Sequence, residues 1–429
     1  MNWRSLSIAL LLVACGQAAP TDQGYGANVQ LRAPDASPLP TVNPARAVGW
    51  LEGAAPVAPD GFSVTRYMGD LKHPRWLYLL PNGDVLVAEV ATRAARGGPV
   101  HWIRNAVQRR AGAMNDDANC ITLLRDIDGD GDVDQRHLFL RGLNQPFGMA
   151  LVGGYIYIAA TDAVVRYPYV DGAVRVTGEG ERVLELPYRE GDNGHWTRSL
   201  VANAEGTKLY VAVGSASNIA DDGMAVEEGR AAIWEFNPDG SEARIFASGL
   251  RNPVGMDWAP DTNALWVAVN ERDMLGDNLV PDYMTSVRDG GFYGWPYSYF
   301  GQNVDARVRP QRPDLVATAL APDYALGAHT ASLGLHFYRS DVLPERYWNG
   351  VFIGQHGSWN RSERVGYKVV FVPFANGAPT GAPEDFLFGF LNARGEAQGR
   401  PVGVITDRTG ALLVADDVGG VVWRVAPAA

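Results

Sequence analysis

One phrase returns six times along this chain of 429 residues: a turn with Gly or Asn, a run of apolar and β-branched residues, then a small or acidic residue. Its instances are PNGDVLVAE (81–89), VGGYIYIAATD (152–162), AEGTKLYVAVG (204–214), PDTNALWVAVNE (260–271), WNGVFIGQHG (348–357) and RTGALLVADD (408–417). Several are followed by a second apolar run, as in AVVRYPY, AAIWEF, YKVVFVPF and VVWRV. Six weak repeats, each long enough for a small antiparallel sheet, define an all-β fold, a six-bladed β-propeller with insertions. Closing such a ring removes the terminal sheet edges, so VVWRV near the C-terminus is expected to pair with an early strand such as FSVTRYM. Long helices are not evident; residues 97–113 have room for a short one.

Composition agrees with many tight turns around a large core: 49 Gly and 27 Pro are scattered without period, and 12 Trp, 17 Tyr and 14 Phe supply apolar surface. A net charge of −11 disfavours a broad nucleic-acid surface. The two cysteines, Cys15 and Cys120, make no disulfide framework.

Residues 1–14, MNWRSLSIALLLVA, have the grammar of a signal peptide: Arg4, a short apolar run, then small residues. LVAC at 12–15 resembles a bacterial lipobox, which implies cleavage before Cys15, a lipid on its thiol and export to the periplasmic side. An ordinary secretory leader cut near Ala18 or Ala19 is the alternative. Residues 15–48 read as a flexible tether rich in Pro, Ala and Gly, and 49–429 as the propeller.

Chemistry concentrates in the loops. GDNGHWTR places His195 ahead of SLVANAEGTKLYVAVG, a hairpin turning at Asn203 to Thr207, so an imidazole of suitable basicity sits on a rigid base with Asp192 near in sequence. DIDGDGDVD sets Asp126, Asp128, Asp130, Asp132 and Asp134 around Gly131, hard ligands at alternate positions that suit Ca²⁺. His137 stands where an EF-hand has Glu, so the hand is incomplete, and an acidic solvated turn is the other reading. SGLRNPVGMDW reads as a Pro turn carrying Arg251 and Asn252 into a strand, and RGLNQPFGMAL with Gln145 is a related phrase one repeat pair earlier. The long VNERD loop holds Glu271, Arg272 and Asp273; later loops add His329, His356, Arg361 and Arg400. These histidines lie too far apart for a local zinc motif, and HExxH, GxSxG, a Walker loop and a strand-linked GxGxxG are absent.

Taken in order, GDNGHWTR, SGLRNPVGMDW, VNERD, GGFYGWPYSY and HGSWNR resemble the sorbosone and aldose sugar dehydrogenase family, the soluble quinoproteins that use pyrroloquinoline quinone (PQQ). The resemblance runs from about Gly61 to Val425. It implies a six-bladed propeller with PQQ and Ca²⁺ at its mouth, and hydride transfer from a sugar or sugar aldehyde with His195 as general base. It further implies cofactor contacts among Gln145, Arg251, Asn252, Glu271, His329, His356, Arg361 and Arg400, and calcium held by backbone carbonyls of the loop of Arg272 and Asp273. Gln145 is offset from the family's glutamine, and His329 replaces a smaller polar residue. A tricarboxylate quinone needs several cations, and Arg251, Arg361 and Arg400 supply them in an acidic chain. Two other classes stay open on this fold: a calcium-dependent lactonase or hydrolase, and a non-catalytic propeller that binds a protein or glycan.

Overall fold

The computed structural model describes residues 24–35, 41–114 and 119–428; the leader and Cys15 lie outside them. Among the described residues, six sheets of four or five strands form the ring, antiparallel except where Gly291–Phe292 joins one edge parallel to Arg244–Ser248. Blade 1 spans residues 74–141, blade 2 148–185, blade 3 200–248, blade 4 252–328, blade 5 332–387, and blade 6 401–427. Each of the six repeated phrases is the second strand of its blade: Val85–Glu89, Tyr155–Ala159, Leu209–Val213, Leu265–Asn270, Gly350–Gln355 and Leu412–Asp416. The ring closes as expected, with Phe62–Met68 pairing antiparallel to Val421–Pro427 as the outer strand of blade 6.

The second strands read as nearly unbroken apolar runs because both their faces are buried. In blade 1, Val85 and Val87 pack with Leu413, Ala415 and Val422 of blade 6. Leu86 and Ala88, alternating with them, pack with Met149, Ile156 and Ile158 of blade 2. The same alternation builds a core between every successive pair of blades. Trp76, Phe147, Trp196, Val254, Leu333 and Val402 form a separate apolar cluster where the innermost strands converge, which plugs the axis.

The innermost strands are where the sequence reading differs. Asn252 and Pro253 lie inside the strand Asn252–Trp258 and do not form a turn ahead of it. An innermost strand has one unpaired edge facing the axis, so proline costs it no ladder bond on that side. Glycine follows for a packing reason. A Cβ on Gly255 would collide with the backbone of Leu333 and Gly334, and one on Gly334 with the Val402 carbonyl, because neighbouring innermost strands touch backbone to backbone there.

The expected tether is also different. Tyr25–Gly26 pairs with Leu326 and Ala325 on the outer edge of blade 4. Asp35 N–H donates to the Leu275 carbonyl (3.0 Å) and Asn43 N–H to that of Trp359 (3.0 Å). Ala45 is fully buried in the core between blades 5 and 6. The described parts of residues 24–48 are therefore a strap lying over blades 4 to 6. The helix anticipated within 97–113 is α1, Pro99–Arg110.

Candidate active site

All six innermost strands start, and all six second strands end, at the same end of the ring. Residues just before an innermost strand or just after a second strand therefore share one mouth. His73, Gln145, His195, Arg251, His329 and Arg400 occupy the first position, and Glu271, His356 and Asp417 the second. His73, Gln145 and His329 hold φ of 60°, 52° and 62°, a left-handed conformation that side chains other than Gly disfavour and that clusters at functional sites.

His195 is half-buried, and its Nδ1 faces the Ser215 carbonyl (2.9 Å) and Oγ (3.1 Å). The Ser215 hydroxyl donates to the Ser217 carbonyl (2.7 Å), so both groups facing Nδ1 are acceptors. Nδ1 therefore carries the proton, and the lone pair of the neutral ring is on Nε2. Burial, then the Arg251 charge, pushes the imidazole down to about 3. Asp192 does not act on this ring as its sequence position suggested. It pairs with Arg104 (2.8 Å) and His101 (3.3 Å), and the carboxylate acting on His195 is Asp273.

Arg251 was expected to hold a cofactor, but its donors are committed to the protein. Nε reaches the Asn218 carbonyl (3.1 Å), Nη1 the Glu271 carbonyl (2.7 Å), and Nη2 the Asn218 Oδ1 (3.0 Å), with Asp273 at 3.6 Å. It ties three mouth loops together. Asp273 is also paired with His329 Nδ1 (3.3 Å), whose Nε2 donates to the Gly276 carbonyl (3.0 Å). With acceptors on both nitrogens the His329 ring is held above its ordinary range despite burial, and Asp273 below its own.

The calcium loop expected at Glu271 to Asp273 is occupied by protein donors. The Glu271 carbonyl accepts from Arg251, and that of Asp273 from Asn218 (3.2 Å) and Arg307 (3.0 Å). Arg272 points away from metal chemistry: fully buried, it pairs with Glu271 (3.0 Å) and Asp305 (3.2 Å) and donates to the Pro296 and Ser298 carbonyls. The Glu271 side chain thus pairs with Arg272 through Oε2, while its Oε1 is buried without a hydrogen-bond partner.

Across the mouth, Asp417 accepts from Arg75 (2.6 Å) and His356 Nε2 (2.8 Å), with His73 at 3.6 Å. These neighbours hold its carboxyl well below the usual range, while burial pushes His356 down to about 4. Arg400 donates to the Ala45 carbonyl (3.2 Å) and lies over the Tyr367 ring at 5.0 Å. Arg361 bonds the Asp277 carbonyl. The Nε–H groups of Arg75, Arg361 and Arg400 and the Oδ1 atoms of Asn252 and Asp417 are buried without a hydrogen-bond partner. Unpartnered buried polar atoms are costly, and these five together with Glu271 Oε1 around one mouth fit a ligand bearing several anionic oxygens and donors. Gln145 contributes differently: its amide donates to the Ala91 carbonyl (3.0 Å) and shapes the blade 2 corner.

Arg75 and Asp417 escaped the sequence reading, although the acidic end of the sixth repeated phrase is Asp417 itself. The aspartate-rich loop lies elsewhere, on the face opposite the mouth. Asp126, Asp128 and Asp130 bring ligand oxygens within 4.8 Å of one another, while Asp132 and Asp134 are not part of that group. Asp134 instead accepts the Ile127 N–H (2.6 Å), and Arg408 sits 3.1 Å from Asp126.

Comparisons with known proteins agree with this architecture. The TrAA12-like family model matches residues 56–284 and 314–428. An uncharacterised protein of Borreliella burgdorferi is 30% identical over 292 residues, covering 66% of this chain and 76% of that protein. The aldose sugar dehydrogenase of Escherichia coli is 34% identical over 116 residues, 27% of this chain and 29% of its own length. A PQQ-dependent pyranose dehydrogenase of Coprinopsis cinerea is 24% identical across 85% of this chain, which spans about half (54%) of that protein. The PQQ domain of the C. cinerea pyranose dehydrogenase superposes with a TM-score of 0.68 at 22% identity, covering 87% of this chain and 97% of that one. A calcium structure of the Trichoderma reesei family AA12 enzyme gives 0.69 at 20% identity, covering 94% and 99%. The resemblance to the quinoprotein sugar dehydrogenases is borne out, and the chain belongs to the TrAA12-like family.

Proposed function

We propose that this chain is an oxidoreductase that oxidises a sugar or sugar aldehyde, with PQQ held in the mouth, Ca²⁺ beside it and His195 as general base. One observation carries the reading. A neutral histidine with its lone pair on Nε2 stands in a mouth whose arginines keep buried N–H donors unpartnered. Arg75, Arg361 and Arg400 would hold the carboxylates of the quinone, and Asn252, beside His195 and Gly214, would meet a donor. The quinone, when bound, would supply the hydride acceptor, and a Ca²⁺ polarising it would need oxygens other than the Glu271 and Asp273 carbonyls, which already accept from Arg251, Asn218 and Arg307. His195 Nε2 would take the proton of the sugar hydroxyl, or of a hydroxyl of the hydrated aldehyde, as the hydride leaves the same carbon for the quinone, and Ser215 fixes the ring so that this nitrogen stays available. Arg251, Asp273 and His329 keep the loops in register. The relatives named for PQQ and the structure described with calcium support the cofactor assignment. A hydrolase would need side-chain carboxylates around an axial metal; among the described residues the three-carboxylate group lies on the opposite face.

The test is titration of the apo-protein with PQQ and Ca²⁺, followed by the absorbance of the bound quinone, and then dye reduction over aldoses, sorbosone and simple alcohols. His195→Ala is expected to lose on the order of 10²- to 10⁴-fold in kcat while still binding PQQ. Near-parental kcat assigns the base elsewhere, with His356 next to be tested. We also propose a structural Ca²⁺ at Asp126, Asp128 and Asp130. Replacing Asp128 and Asp130 by Asn should abolish any calcium-dependent rise in melting temperature, and a parent whose melting ignores chelator excludes the site. Export and lipid anchoring at Cys15 are proposed from the leader, and intact mass of the membrane fraction checks them.

A further inference from the structure

Acidity is unevenly spread along this chain. From Val90 to Asn115 there are five arginines, at 93, 96, 104, 109 and 110, and no Asp or Glu, although the whole chain carries −11. This stretch joins the second and third strands of blade 1 at the mouth end and contains α1. The outward face of α1 is Trp102, Ile103, Ala106, Arg109 and Arg110, spaced as one helix face. Trp102 is 70% exposed and Ile103 57%. A helix on a water-soluble body ordinarily turns such side chains inward. Here the inward side is polar: buried Asn105 bonds the Ala95 backbone (2.9 and 3.1 Å), and Arg104 and His101 reach Asp192. Arg109 and Arg110 have no acidic partner among the described residues. Asp116 and Asp117, which follow the stretch, lie outside them.

We propose that α1 seats the mouth face on an anionic lipid surface, with Trp102 and Ile103 entering the headgroup region and Arg109 and Arg110 pairing with lipid phosphates. Two observations favour a membrane over an acidic protein. Large apolar side chains and arginines share one exposed helix face, the arrangement of helices that lie in the headgroup plane. Gly24 also lies at the mouth end of blade 4, where its carbonyl accepts from the Gly327 N–H, two residues before His329. The nine residues from Cys15 to Gly24 span at most about 30 Å, so the lipid anchor proposed at Cys15, on which this second point rests, would hold this same face near the bilayer. Helix and site are joined, since Asp192, gripped by Arg104, lies three residues before His195. This inference does not depend on the quinone reading.

The experiment is co-sedimentation of the mature full-length Cys15→Ser protein, which carries no lipid, with vesicles of phosphatidylcholine alone or mixed with phosphatidylglycerol. Partition onto the anionic vesicles, weakened by salt, is expected. Arg109→Gln with Arg110→Gln should lower it about 25-fold, at about fivefold per arginine, and Trp102→Ser with Ile103→Ser at least tenfold. All four side chains face outward, so unchanged melting curves serve as the folding control. Asp116→Asn with Asp117→Asn should strengthen partition. No partition onto anionic vesicles, equal partition onto neutral ones, or indifference to both double variants overturns the proposal. Retention on an acidic protein matrix without vesicle binding also overturns it and assigns the face to a protein partner.

Discussion

His195 is kept neutral by its surroundings, and the sign of the effect makes it testable. Its folded value of about 3 lies below the ordinary 6.5, so as pH falls the unfolded chain takes up a proton that the folded one refuses. Stability is therefore lost between about pH 6.5 and 3. Imidazole NMR of the cofactor-free protein should show His195 titrating near 3, and Arg251→Gln should move it upward; an ordinary midpoint in both proteins contradicts the assigned cause. His329 behaves oppositely. Its folded value is raised by Asp273, so its contribution is fully present below about pH 6.5 and is lost as pH rises through the raised value. His329→Gln should cost about 1 kcal/mol in acid, since Asp273 is 30% exposed and solvent screens the pair. Denaturant melts at several pH values check this, and the gap between variant and parent should narrow on the alkaline side.

The innermost strands are the elements that set the ring's diameter, and their glycines are the sensitive points. Gly334→Ala should destabilise by about 3 kcal/mol or more, because its Cβ would fall on the Val402 carbonyl. Gly403→Ala, whose nearest obstacle is the Arg75 carbonyl at 2.8 Å, should cost less, on the order of 1–2 kcal/mol. Equal melting curves for the two variants would contradict the backbone-contact argument. These strands were the illegible part of the sequence. PVGM and PVGV carry turn chemistry, and only the ring explains why Pro and Gly sit inside a strand. The second strands were legible because burial on both faces writes an uninterrupted apolar run. At the site, His195, Arg361 and Arg400 stood out as polar chemistry in loops. Arg75 and Asp417 did not, since each sits at the end of an apolar run and gains its meaning from the neighbouring blade. Arg251 was recognisable as a cation leading into a strand and Arg272 as a member of the long VNERD loop, but the sequence could not show that both are buried with their partners in the protein itself.

At the scale of the whole molecule, one carboxylate fastens the closure. Asp416 accepts from the indoles of Trp50 (2.6 Å) and Trp423 (3.0 Å) through one oxygen, and from the N–H groups of Arg400 (2.7 Å) and Gly419 (2.8 Å) through the other. Asp416→Asn sets an amide donor against two of these donors whichever way it is turned. It is expected to cost about 2–4 kcal/mol and to expose the strap to limited proteolysis between residues 24 and 50; a strap as resistant as the parent's contradicts this. The pairing of Phe62–Met68 with Val421–Pro427 also has a consequence for how the protein is made. The early strand must wait, unpaired, while about 350 further residues are synthesised, on the order of 20–70 s at ordinary ribosome speeds. Blade 6 is completed only after the last strand has emerged, which keeps the ring open throughout synthesis, and so long a loop makes closure the slow event of folding.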